Sequence, residues 1–204
     1  ERYDEVMTVH MQALENRLAA GHPIDSVASV ASFFVSRVDS EVEKRFKGLS
    51  LSEAQKAGLL GKVAVANARS AYASFQQRLA SDRWQALASK GAQVMRPLWA
   101  STGVKNPNYA DTLYVDELVG PHCVNTMPEA TLHAVLEHGK TENTLSSSHL
   151  QDAAKVLDLL KEVGVDLADV TLNTLEVEGV QKFADSYKDL LKTLEQSLQA
   201  LSVS

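Results

Sequence analysis

The stretch RPLWASTGVKNPNYADTLYVDELVGPHCVNTMPE, Arg96 to Glu129, holds two short apolar runs, PLWAS and CVNTMP, each ending at small hydroxyl residues. A turn-rich loop and a short amphipathic segment, NYADTLYVDELVG, join them. Short apolar runs bounded by turn residues fit buried strands of a parallel sheet. The spacing predicts a strand over Gln93–Ser101, a short helix, a strand over HCVNTM, and then the helix PEATLHAVLEHG. Pro128 is tolerated at the first position of that last helix, and Gly139 ends it.

The same order recurs upstream. IDSVASVASFFVSRVD is mostly apolar from Ile24 to Val38 with interleaved serines and reads as a strand buried on both faces, stopping at Arg37 and Asp39. Ser40 and Glu43 have the spacing of a capping box, which predicts a helix start there. A helical region follows through EVEKRF, a break at Gly48–Ser52, and AGLLGKVAVANARSAYASFQQRLASDRWQALASKG, with Val65, Ala68, Tyr72, Phe75 and Leu79 at helical spacing. Strand, helix, strand, helix, strand, helix is the pattern of an α/β protein with a parallel sheet. Three parallel strands cannot close a barrel. Either they belong to a larger α/β barrel, or helices shield the two edges of a small sheet.

The flanks are helical. ERYDEVMTVHMQALENRLAAG places Tyr3, Met7, Leu14 and Leu18 on one stripe with Met11 beside it, and Gly21 suits the C-terminal cap. It has no lead-in loop or cap, and a sequence that opens inside a helix is expected to continue something longer. Beyond the third strand, Ser148 and Gln151 suggest a capping box opening a helix through Leu157 and Leu160 to Gly164. DLADVTLNTLEVEGV reads as a short helix. Val180, Phe183, Tyr187, Leu190, Leu194, Leu198 and Leu201 then predict a helix docked on the body of a domain rather than a coiled coil.

Composition narrows the function classes. The 204 residues carry a net charge of −6 and 45% hydrophobic residues, a globular balance. Scattered Lys and Arg in an acidic chain give no footprint for nucleic acid. No run approaches the ~18 to 20 apolar residues that span a bilayer, and no charged-then-apolar leader opens the sequence. The lone Cys123 favours a reducing compartment.

In parallel α/β folds, ligands bind at the carboxyl ends of the strands. Those ends supply Ser32, Phe34, Ser36 and Arg37; then Ser101, Thr102 and Lys105; then Asn125 and Thr126. Cations with short donors suit a phosphate, and hydroxyl and amide groups suit a sugar. The same Ser and Thr residues also serve as helix caps, which need no ligand. The six histidines show no H-E-x-x-H or paired ligand spacing, so no metal site is expected. His122 and Cys123 would diverge as strand neighbours, which makes Cys123 a buried free thiol. Glu41/Glu43 and Glu176/Glu178 read as solvated faces or helix-terminus charges, and Met7 and Met11 as core. A Schiff-base lysine must be desolvated or held near another cation. Lys62 falls on a helix and Lys105 in a loop ending at Pro107; no lysine lies inside the three strands.

SVASFFVSRVD, GKVAVANARSAY, RPLWASTGVKNPNYADTLYV, VNTMPEATL and DLADVTLNTLEVEGVQKFADSYKDLL resemble the second half of transaldolases of the bacterial and plant subfamily, across essentially the whole chain. LWASTGVKNP and NTMPE are the narrowest of these motifs. The resemblance implies a (β/α)8 TIM barrel with additional C-terminal helices. Residues 1–204 would form a single domain, the barrel's carboxy-terminal portion with its last three strands, the first five being absent from this chain. It implies transfer of a dihydroxyacetone unit from sedoheptulose 7-phosphate or fructose 6-phosphate to an aldose phosphate, in the pentose phosphate pathway. The reaction would run through a lysine Schiff base without metal or cofactor. On this resemblance Ser32, Arg37, Ser101 and Lys105 bind the substrate and its phosphate, and Phe34 lines the pocket. The Schiff-base lysine belongs to the fourth strand and the proton-handling groups to the first, second, third and fifth, so no catalytic residue is expected here. Expected partners are sugar phosphates, with neither nucleic acid nor membrane; monomer or homodimer stays open. The expected compartment is the cytoplasm, or the plastid in a plant or alga. Two rival readings are a catalytically inactive barrel fragment serving as a binding or structural protein, and a related Schiff-base aldolase using free dihydroxyacetone.

Overall fold

The first helix, α1 (Arg2–Ala19), buries Tyr3, Met7, Met11 and Leu14, the stripe its spacing predicts. It ends as Gly21 foretells. Gly21 sits at φ 75°, its N–H donates to Leu18 O at 2.9 Å, and the His22 N–H donates to Arg17 O at 2.9 Å. These two bonds satisfy carbonyls that the last turn leaves open, and glycine enters the left-handed region without a Cβ penalty. The computed structural model that shows this describes residues 1–202. The chain divides into two compact units, Glu1–Val165 and Asp166–Ser204.

In the first unit three parallel strands, β1 (Ser29–Phe34), β2 (Met95–Ala100) and β3 (Val124–Asn125), lie side by side in chain order. The α/β class with a parallel sheet is as expected; a complete barrel is not formed by these strands. The register pairs Ala31 with Pro97 and Phe33 with Trp99, and on the other face Val30 with Arg96, Ser32 with Leu98 and Phe34 with Ala100. The first face is covered: Trp99 is fully buried, and Phe33 packs edge-on between Tyr3 and Trp99 at centroid distances of 6.0 and 5.7 Å. The second face is open, with Val30 43% and Phe34 40% exposed. Of the two faces of β1 expected to be buried, the described residues cover one. A continuous apolar run fixes the strand, but its burial depends on what packs against each face.

The helices that follow are α2 (Ser36–Phe46), α3 (Glu53–Leu59), α4 (Val63–Leu79) and α5 (Asp82–Ala88). Buried Val65, Ala68, Tyr72 and Phe75 confirm the inner face of α4. α6 (Leu113–Asp116), α7 (Glu129–His138) and α8 (Ser147–Glu162) complete the unit, with α8 packed on α4.

Two helix starts depart from the sequence reading. α2 begins at Ser36, four residues before the Ser40–Glu43 pattern, and the Ser40 hydroxyl instead donates back to Ser36 O at 3.2 Å. α8 begins at Ser147 with Ser146 as N-cap and no side-chain capping bond, so Ser148 and Gln151 do not form the expected box. A capping box does form at Ser52 and Gln55, where the sequence shows only a break. Pro128 stands one position earlier than expected, as the N-cap of α7.

α4 has no cap of its own: Lys62 holds the N-cap position and makes no side-chain capping bond. The missing acceptor comes from another helix. Asp39 on α2 accepts the Ala64 N–H at 2.8 Å through Oδ1, and the Tyr114 hydroxyl donates to Oδ2 at 2.9 Å. A carboxylate at a helix N-terminus satisfies an open amide and meets the favourable end of the helix dipole. Burial still pushes the Asp39 carboxyl up to about 6, against the opposing pull of these hydrogen bonds.

The second unit is a π-helical turn, Asp169–Leu175, running into the long helix α9 (Glu176–Ser202). The apolar positions recur along α9 at the expected spacing. Val180, Tyr187, Leu190 and Leu194 are each more than half exposed.

Candidate sugar-phosphate site

The end of β1 and the end of β2 stay coupled after the strands stop. Val35 N–H donates to Ala100 O at 2.9 Å and Ser36 N–H to Ser101 O at 3.0 Å, so the ladder runs into the first residue of α2. The side chains join as well, with Ser36 Oγ and Ser101 Oγ 3.0 Å apart. Ser101 takes up φ 57°, a left-handed conformation that costs a residue with a Cβ roughly 1 to 2 kcal/mol. Such strain persists only where the surroundings over-determine it. Here both the backbone and the hydroxyl of Ser101 are held by α2.

Arg37 follows in the first turn of α2, half-buried, with its guanidinium 5.1 Å from the centroid of the Phe34 ring. Stacking on an aromatic face presets a planar cation without using its N–H donors. Phe34 and Ser32 both lie on the open face of the sheet and are exposed. Lys105 is exposed on the loop between β2 and α6. The structure thus joins Phe34 to Arg37, ties Ser101 to the start of the same helix, and sets Ser32 on the same open face.

Thr102 is a different case. It is fully buried, and its hydroxyl donates to Asn125 Oδ1 at 2.8 Å, with Thr126 O at 3.3 Å. Together with the Thr126 N–H bond to Trp99 O at 3.0 Å, this locks the end of β3 onto β2. Thr102 is a brace between strand ends.

Three polar readings need correction or refinement. Glu43 is no solvated charge: it accepts hydrogen bonds from Asn106 Nδ2 at 3.2 Å and from the Tyr109 hydroxyl. Its partners lie more than sixty residues away, so no local pattern announces them. Cys123 behaves as a half-buried thiol that burial pushes up to about 11, far from a reactive thiolate. It precedes β3, and His122 takes φ 62°, so the pair lies in a turn and not within the strand. Lys62 is exposed at the N-cap of α4 rather than inside a helix, and it donates to Ala57 O at 2.7 Å. Among the described residues, no three His, Cys, Asp or Glu side chains form a group that could hold a metal ion.

The family model "Transaldolase/Fructose-6-phosphate aldolase" matches residues 7–194. A transaldolase of Frankia alni is 50% identical over 198 residues, covering 97% of this chain and 53% of that protein. One from Thermobifida fusca is 50% identical over 200 residues (98% and 54%), and one from Mycobacterium leprae is 49% identical over 203 residues (99% and 53%). The chain belongs to the transaldolase/fructose-6-phosphate aldolase family. It spans about half the length of the curated relatives it matches.

Proposed function

We propose that this chain supplies the substrate-gripping side of a transaldolase. In this reading a (β/α)8 barrel, of which β1, β2 and β3 are the last three strands, moves a dihydroxyacetone unit from sedoheptulose 7-phosphate or fructose 6-phosphate to an aldose phosphate. This is a step of the pentose phosphate pathway in the cytoplasm. Arg37 and Lys105 bind the phosphate, Ser32 and Ser101 hydrogen-bond the sugar phosphate, and Phe34 lines the pocket. The attacking lysine comes from a part of the barrel outside these residues. What supports the reading most is Arg37, which stacks on Phe34 in the first turn of a helix whose N-terminus is bonded to Ser101. A helix N-terminus with a preset guanidinium beside it favours a bound phosphate. Ser32 and Phe34 lie two residues apart on one face of the sheet, so both can meet the same sugar. Among the described residues no helix is long and apolar enough to cross a membrane.

Borohydride trapping with fructose 6-phosphate on the complete enzyme tests the assignment of roles. The expected result is one trapped lysine, mapped by peptide mass outside residues 1–204. A trapped lysine inside them would overturn the assignment. Running free dihydroxyacetone beside the phosphorylated donor separates a transaldolase from the related aldolase reaction.

A further inference from the structure

We propose that Glu43 is the positioning residue that sets Lys105 for phosphate, an inference that rests on the role given to Lys105 above. Lys105 projects from an exposed loop, and a lysine there has a long flexible stem with no orientation of its own. The residues just after it are not free to wander. Asn106 Nδ2 donates to Glu43 Oε2 at 3.2 Å, and the Tyr109 hydroxyl donates to Glu43 Oε1, so one carboxylate holds two points of the loop.

The orientation of the Asn106 amide is fixed independently. The Asn108 N–H donates to Asn106 Oδ1 at 3.0 Å, which makes that atom the oxygen and turns the NH2 group toward Glu43. Tyr109 is seated from its other side. Its ring lies where a Cβ on Gly61 would stand 3.2 Å away, and Gly61 takes φ 68°. Each donor therefore has a second constraint, and Glu43 is where the two meet.

What the carboxylate is attached to gives the arrangement its meaning. Glu43 lies on α2, the helix that begins at Ser36 and carries Arg37 in its first turn. Asp39, one turn earlier on the same helix, takes the Tyr114 hydroxyl at 2.9 Å. Residues four apart share a helix face. That face of α2 thus receives Asn106, Tyr109 and Tyr114, all from the chain between β2 and the end of α6. The Lys105 loop is referenced to the helix that presents Arg37. The spacing of the two cations is then a property of α2 and its carboxylates, where a mobile loop would leave it undefined.

The test is steady-state kinetics on the complete enzyme with a phosphorylated ketose donor and with its unphosphorylated counterpart. Glu43→Ala is expected to raise KM for the phosphorylated donor about tenfold with kcat little changed, the effect of losing one well-placed charged contact. Glu43→Gln keeps one acceptor and should recover part of that loss. Tyr109→Phe keeps the ring against Gly61 and removes only the hydroxyl, so it carries the test if Glu43→Ala fails to fold. Its KM should rise in the same phosphate-dependent way. In a Lys105→Ala background neither substitution should add anything. A rise in KM that is equal for both donors, or one that persists without Lys105, would show a purely structural role for Glu43 and sink the proposal. If Lys105→Ala alone leaves phosphate dependence unchanged, the assignment of Lys105 fails, and with it the premise on which Glu43 was chosen.

Discussion

Ser36 and Ser101 bring their hydroxyls to 3.0 Å across the carboxyl ends of β1 and β2, and the Ser36 N–H holds Ser101 O at 3.0 Å. Two contributions of opposite sign meet at Ser101. The hydroxyl contact stabilises by about 1 kcal/mol, and the left-handed backbone of a residue with a Cβ costs a similar amount. Ser101→Ala removes the first and keeps the second, and should lower stability by about 1 kcal/mol. Ser101→Gly removes both and should leave stability nearly unchanged. Urea denaturation of the three proteins checks the order: wild type and Ser101→Gly together, Ser101→Ala below them. The substrate contact proposed for this hydroxyl should be lost equally in both variants.

Asp39 gives a pH dependence whose sign follows from its burial. Its folded-state value, about 6, lies above the ordinary 3.8 of an aspartate, so the folded state holds this proton more tightly than the unfolded one. Stability must therefore fall as pH rises from about 4 to about 6 and flatten above that. Denaturation midpoints compared with Asp39→Asn, which cannot titrate, isolate the slope. The wild type should lose ground to the variant across that window and keep a constant difference from it above pH 7. Parallel curves from pH 4 to 7 would mean that Asp39 is not buried as a carboxyl.

Gly61 combines a left-handed φ of 68° with the Tyr109 ring 3.2 Å from where a Cβ would be. Gly61→Ala should cost about 1 to 2 kcal/mol from the backbone alone. Because the added methyl presses on Tyr109, it should also disturb the Lys105 loop. A stability loss without any change in phosphate-dependent KM would separate the two effects.

Arg37→Lys keeps the charge but loses the planar fork and much of the stacking on Phe34. If the guanidinium grips phosphate, KM for a phosphorylated donor should rise by about tenfold or more, with a smaller change for the unphosphorylated one. Phe34→Leu should give a weaker effect in the same direction, since it removes the surface that presets Arg37. Equal losses for both donors would move Arg37 out of the phosphate site.

Much of this was legible in local pattern. The Gly21 helix end, the buried stripe of α1, the parallel order of strands and the clustering of Ser32, Phe34, Arg37 and Ser101 at strand ends all follow from spacing a few residues long. The misreadings share one cause. Whether Glu43 is solvated and what caps α4 depend on partners far along the chain, which no window of sequence contains. Ser40 and Glu43 imitate a capping box because the spacing that caps one helix also occurs inside another. Lys105 stands out in the sequence by its place after a strand; the atoms that hold its loop are visible only in three dimensions.

The loan of Asp39 to the first turn of α4 makes two helices answerable to one event. Until α2 is seated, the Ala64 amide has lost its acceptor and the first turn of α4 frays; once it is seated, both ends tighten together. In hydrogen exchange Ala64 should therefore open with the amides of α2 rather than with the rest of its own helix, and Asp39→Ala should speed its exchange more than that of any amide deeper in α4. A single slow amide would then report, residue by residue away from any substrate, whether the helix that presents Arg37 is in place.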